Sequence, residues 1–144
     1  MDITEAARRL GALAWTEQQL FEVVGGWVAS TPQPDVKLLF ARASRHHGDH
    51  ALALAALLPD TRDHDPVVLV APGDDDPSED LRGDTTGARL DALLVVLSSQ
   101  VEAIGGFLTD AAPVRDGPAL RVAGLVVAED QAEIVAAAGL REPD

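Results

Sequence analysis

The sequence predicts an all-α fold: one four-helix bundle of two related helical hairpins, with a long acidic crossover between the second and third helices. Three observations predict it. Apolar residues recur at helical spacing in four long windows. Prolines separate the windows. A short pattern, Glu22-Val23-Val24-Gly25-Gly26-Trp27, returns 80 residues later as Glu102-Ala103-Ile104-Gly105-Gly106-Phe107, each time just ahead of a proline and a further helix.

The 144 residues are enough to bury the core of a single domain, 1–144. Ala, Leu and Val dominate the apolar side chains, with three Phe, two Trp and no Tyr, a composition that suits helices packed closely on small residues. The absence of cysteine excludes disulfides, thiolate chemistry and cysteine-based zinc sites. No apolar run approaches the roughly 20 residues of a membrane span. The stretch Met1-Asp2-Ile3-Thr4-Glu5 is acidic and has no signal-peptide core, so a cytoplasmic protein is expected. The net charge is −13 and Lys37 is the single lysine. A field of that sign repels phosphate backbones and anionic lipid, so neither nucleic acid nor membrane is expected as a partner.

The first helix is expected over 3–29, opened by Asp2 and Glu5 as a capping box. Its stripe is Leu10, Leu13, Ala14, Glu17, Phe21, Val24 and Val28. The second, over 34–58, starts on Pro34 and carries Leu39, Ala43, His46, His47, His50, Leu54 and Leu57. Pro59 opens the crossover, about 59–86. From Asp60 to Asp84 it holds nine acids against Arg62 and Arg82, more than half the net charge. Val67-Val68-Leu69-Val70-Ala71 within it reads as an extended segment laid along the bundle. Asp74 to Asp80 lacks the alternating ligand spacing of a calcium loop, and His64 has no evident partner. The third helix, over 87–111, presents Leu90, Leu94, Leu97, Val101, Ile104 and Leu108. Asp116 caps the fourth, over 117–140, whose stripe is Val122, Leu125, Val126, Glu129, Glu133, Ala136 and Leu140. Residues 141–144 are expected to fray. The first helix is expected to run parallel to the third, and the second to the fourth. The paired glycines point to close helix approach or a bend.

Six ionisable side chains fall on these apolar stripes: Glu17, His46, His47, His50, Glu129 and Glu133. Isolated charges in such a core cost several kcal/mol each, so they must pair, ligate a metal, line a wet pocket or neutralise. His47-x-x-His50 and His46-x-x-x-His50 both bring two imidazoles to one side within a turn, the separation that a shared metal needs. Imidazole mixed with carboxylate suits iron, zinc or manganese. A metal-free network of imidazolium and carboxylate satisfies the same residues.

The chain resembles the ferritin-like superfamily, whose carboxylate-bridged members use this architecture. Their ligands are a Glu on the first helix, Glu-x-x-His on the second, a Glu on the third and Glu-x-x-His on the fourth. Glu17 matches the first position and His50 the histidine of the second helix, with His47 in place of its Glu. On the third helix the repeat-related position is Leu97. On the fourth, Glu129 matches, Ala132 replaces the histidine, and Glu133 stands one residue late. Half of the two-metal pattern is present and half eroded. The resemblance implies a metal-binding protein, iron first and zinc or manganese next, acting as a non-haem iron oxidase or hydroxylase. The alternative is a metal-free bundle serving as an oligomeric scaffold or partner-binding module. A homodimer through the first or third helix is expected, with Trp15 and Trp27 as exposed contacts.

Overall fold

The computed structural model describes residues 1–141. Four long helices make the bundle: α1 (Ile3–Trp27), α2 (Pro34–Ala55), α4 (Thr86–Asp110) and α5 (Gly117–Leu140). A single turn, α3 (Pro66–Leu69), and a 3-10 turn at Pro77–Asp80 lie in the crossover. Among the described residues there is no strand, only an isolated bridge between Thr61 and His64. These two residues also join side chains, Oγ1 to Nδ1 at 3.1 Å, so His64 has a partner that the sequence did not suggest.

Local chemistry explains the boundaries. The Asp2 carboxylate accepts from the Glu5 amide at 2.8 Å and starts α1. Pro34 occupies the first turn of α2. The Thr85 hydroxyl accepts from the Ala88 amide and starts α4. Asp116 stands at the head of α5, but its carboxylate accepts from the Ala112 amide at 2.7 Å and braces the preceding loop instead of capping the helix. Of the tail expected to fray, Arg141 is held by Asp91 at 2.7 Å, and residues 142–144 lie outside the described residues.

Contacts fix the directions. α1 packs on α2, α4 on α5, α2 on α5 and α1 on α4. Trp27 meets Phe40 while Glu17 meets His47, so α1 and α2 are antiparallel. Arg9 pairs with Asp110 and Arg89 reaches the Trp27 carbonyl, so α1 is antiparallel to α4 as well. This corrects the expected parallel arrangement of the first and third helices. His47 with Glu133 and His50 with Glu129 make α2 antiparallel to α5, which corrects the second pair. The physical reason is the crossover, which runs the full length of the bundle and delivers α4 to the end where α1 and α2 meet.

That return needs about 10 extended residues to cover a helix of this length, and the crossover has far more. The excess folds locally. Val67–Ala71, expected to be extended, instead starts as the turn α3: Pro66 presets the backbone and Asp65 accepts from the Val67 amide at 3.0 Å. Val67 and Val68 are exposed, while Leu69 and Val70 pack on the bundle. Leu69 lies so close to α1 that a Cβ on Gly11 would sit 1.9 Å from its carbonyl oxygen. Gly25 similarly admits Ser44 of α2, whose hydroxyl donates to the Phe21 carbonyl at 2.8 Å. Gly26 and Gly105 face open space, and Gly106 has only the Arg9 guanidinium within 4 Å, so close approach accounts for Gly25 alone of the four.

The apolar core is divided. One layer gathers Val24, Trp27, Phe40, Leu93 and Leu97, the other Leu10, Leu54, Ile104, Phe107 and Val126. Between them, every helix contributes a buried polar side chain: Glu17, His47 and His50, Gln100, and Asp130 with Glu133. Trp27 is in the core, and Trp15 donates to Asp76 at 3.3 Å, so neither is the free aromatic contact that was expected. By length and composition alone α4 reaches membrane-spanning hydropathy, 1.6 over an 18-residue window, although no run in the sequence suggested it. In the bundle its Leu90, Leu93, Leu97 and Phe107 are core residues.

Gly11→Ala should lower the thermal midpoint, at a cost of about 1–3 kcal/mol, because the Leu69 backbone cannot stay where it is. A midpoint equal to that of the parent would contradict this docking of the crossover.

Candidate metal centre

The polar layer is built by helical spacing. Glu17 stands on α1 at the centre of its buried face. His47 and His50, one turn apart, share the buried face of α2 with Phe40, Ala43 and Leu54. On α5, Asp130 and Glu133 have the same i, i+3 relation and share a face with Ala123, Val126 and Ala137. The two pairs thus confront each other as imidazoles against carboxylates, with Glu17 closing the third side.

The imidazole nitrogens define the arrangement. His47 Nε2 lies 2.7 Å from Glu133 Oε2, and His50 Nε2 lies 2.6 Å from Glu129 Oε2. Both rings therefore turn Nδ1 inward. His47 Nδ1 is hydrogen-bonded to Glu17 Oε2, and Asp130 Oδ1 is 3.7 Å from it. His50 Nδ1 is 3.5 Å from both Glu17 Oε1 and Asp130 Oδ1, too far for a hydrogen bond. Among the described residues, four buried atoms consequently make no hydrogen bond: Glu17 Oε1, His50 Nδ1, and both oxygens of Asp130. Each such atom costs about 1–3 kcal/mol if left alone.

Glu17, His47, His50 and Asp130 form a buried group able to hold a metal ion, each offering one ligand atom within 4.8 Å of the others. The donor chemistry fits. Two carboxylates neutralise a divalent charge, and the two imidazoles need only be neutral. The 3.5 Å separations around His50 Nδ1 are close to the edge of a tetrahedron with bonds of about 2.1 Å, roughly 3.4 Å. Glu129 and Glu133, on the outer nitrogens, fix the ring orientation and tautomer as carboxylates do behind metal-bound histidines.

Without a cation the same cluster must hold protons. Burial pulls the His47 imidazole down, but hydrogen bonds to Glu133 and Glu17 outweigh it and hold it up at about 10. Burial opposes His50 too, and the Asp130 and Glu17 carboxylates raise it to about 11. Glu17 is buried, which favours its neutral form, yet its bond to His47 keeps it below the usual carboxylate range. Asp130 goes the other way: burial pushes it up.

The structure does not bring every expected residue here. His46 is exposed. The buried face of α2 is centred on Phe40, His47 and Leu54, and His46 stands roughly 90° round the helix from that line. Glu129 and Glu133 contact the outer rather than the inner imidazole nitrogens, so they hold the rings and leave the inner position to others. Asp130, absent from the sequence reading, takes it. The usable signal was its i, i+3 relation to Glu133, the same spacing as His47 and His50. Compared with known protein families, curated proteins and solved structures, the chain matches none.

The pH dependence has opposite signs in the two states. In metal-stripped protein, folded His47 and His50 keep protons that the unfolded chain releases above about 6.5. Asp130 keeps one that is lost above about 4. The cluster's contribution is therefore present in mild acid and declines as pH rises toward 10 and 11. Glu17 acts in reverse, its contribution being lost as pH falls through the acid range. Stripped protein should melt lower at about pH 9 than at about pH 6, whereas the increment on adding metal should grow over the same interval, because ligation requires deprotonated donors. Parallel trends with and without metal would contradict this assignment.

Proposed function

We propose that the protein binds one divalent first-row metal ion at the centre of its bundle, through Glu17, His47, His50 and Asp130. The observation that carries this reading is the group of one ligand atom each from Glu17, His47, His50 and Asp130, drawn from three helices and within 4.8 Å of one another, in which Glu17, His50 and Asp130 carry buried atoms with no hydrogen bond among the described residues. A cation there would engage one oxygen each of Glu17 and Asp130 together with His50 Nδ1, and would take His47 Nδ1 from its hydrogen bond to Glu17. Iron is assigned first, as the ion that gives an imidazole and carboxylate donor set redox chemistry with dioxygen, with zinc and manganese next. On this reading the chain is a ferritin-like oxidase or hydroxylase that keeps one metal position. The protein's own residues do the following: Glu17 and Asp130 balance charge, His47 and His50 supply nitrogen donors, Glu129 and Glu133 hold the rings, and the two apolar layers exclude water.

A specific observation favours the second reading, a metal-free scaffold. His47 has a carboxylate on each nitrogen, so an imidazolium is already well placed without metal. Elemental analysis and two variants separate the readings. The first expects about one metal per chain, lost in His50→Ala and in Asp130→Asn. Asp130→Asn copies the neutral carboxyl, so stripped Asp130→Asn should melt no lower than stripped parent. Stable protein that takes up no iron, zinc or manganese would leave the scaffold reading standing.

The homodimer is proposed through the α1 and α2 outer face, where Phe21 and Leu52 are exposed. A monomer mass by light scattering at tens of micromolar would contradict it.

A further inference from the structure

On the opposite side of α1 from that face, the crossover and α4 enclose a groove of about 930 Å³. That is the size of a small-molecule site. Its floor is apolar, from Ala12, Leu13 and Ala103, and it is interrupted by two polar side chains. Thr16 is 3% exposed and Gln100 1% exposed. The Gln100 amide nitrogen donates to the Leu13 carbonyl at 3.0 Å. Among the described residues nothing donates to its carbonyl oxygen, and the Thr16 hydroxyl has no partner at all. A hydroxyl with no protein hydrogen bond, carried by an almost wholly buried residue that lines the groove, is a vacant recognition element.

The groove wall is acidic. The crossover is clamped to α1 by Trp15 on Asp76 and by the contact of Leu69 with Gly11. This clamp holds Asp74, Asp75, Glu79 and Asp80 along one side, with Glu102 among the remaining lining. The side chains of those four crossover acids accept no hydrogen bond among the described residues. Two guanidinium groups, Arg8 and Arg9, also line the groove against six carboxylates, and Arg8 feels the charge of Asp74. Arg8 is paired with Glu5 at 2.8 Å, and Arg9 with Asp110 at 2.7 Å while lying over the Phe107 ring. What the groove offers is therefore a row of acceptors over an apolar strip.

We propose that this groove binds a linear polyamine, with methylene segments on Ala12, Leu13 and Ala103 and ammonium groups on Thr16, Gln100 and the crossover carboxylates. A hydrated divalent ion satisfies neither the apolar strip nor acceptors distributed along the groove. An amine chain satisfies both, because its donors are spaced by methylenes. The proposal does not depend on the metal centre.

Calorimetric titration of the full chain with spermidine tests it at about 150 mM NaCl, where surface charges are screened over about 8 Å. Saturable one-to-one binding is expected. Replacing two wall charges, Asp75→Asn with Glu79→Gln, should weaken it about tenfold or more. Thr16→Val should weaken it about threefold. Asp60→Asn with Asp63→Asn, the same charge change in crossover acids outside the groove, should leave it within about twofold. Binding that vanishes at this salt, falls equally in both double variants, or ignores Thr16→Val would overturn the site, since each describes counterion attraction to an acidic surface.

Discussion

A charged side chain inside a core of Ala, Leu and Val is stable only if something of opposite charge or matching hydrogen-bonding capacity stands beside it. Five such side chains share one level of this bundle: Glu17, His47, His50, Asp130 and Glu133. Their mutual dependence sets the arrangement of everything around them. Two imidazoles on α2 require carboxylates from α1 and from α5, which fixes the rotation of three helices about their axes. The apolar layers above and below keep water out, and the low dielectric there strengthens each pairing while making each unpaired atom costly. The cluster is well made on its outside, where Glu129 and Glu133 hold the rings, and deficient at its centre, where four atoms make no hydrogen bond among the described residues. A proton distribution relieves part of that deficiency, and a divalent cation at the proposed site would relieve more of it.

The crossover is the second constraint. Because α2 and α4 run the same way, the connection must return along the bundle, and it does so against α1. Gly11 permits its approach and Trp15 fastens it. The consequence is that the densest acidic stretch of the chain is held against the bundle as the wall of a groove whose floor contains an unused hydroxyl.

Much of this was legible in the sequence. Helix spans agreed to within about three residues because caps and prolines mark them. Glu17, His47 and His50 were found because α1 and α2 carry enough polar residues for their buried faces to stand out. The face of α5 was misjudged. Its Leu, Val and Ala residues occur on all sides, so apolar spacing alone leaves the rotation open. Leu125, placed in the stripe, is exposed, while Asp130 is buried roughly 90° away from the expected centre. Gln100 on α4 was missed for the same reason. Contacts between helices, which no helical wheel contains, decide both: Asp130 faces the α2 histidines and Gln100 donates to the Leu13 carbonyl. The helix directions were misjudged because a repeated pattern shows that two segments are alike and carries no information on how a long connection places them.

The most direct test of the central claim is anomalous diffraction from crystals of protein loaded with iron or zinc. A single peak is predicted within about 2.0–2.2 Å of His50 Nδ1 and of oxygens from Glu17 and Asp130, with His47 Nδ1 turned to it and Glu129 still on His50 Nε2. A peak only on the acidic crossover, with the Glu17 to His47 hydrogen bond intact and no density at mid-bundle, would contradict the account.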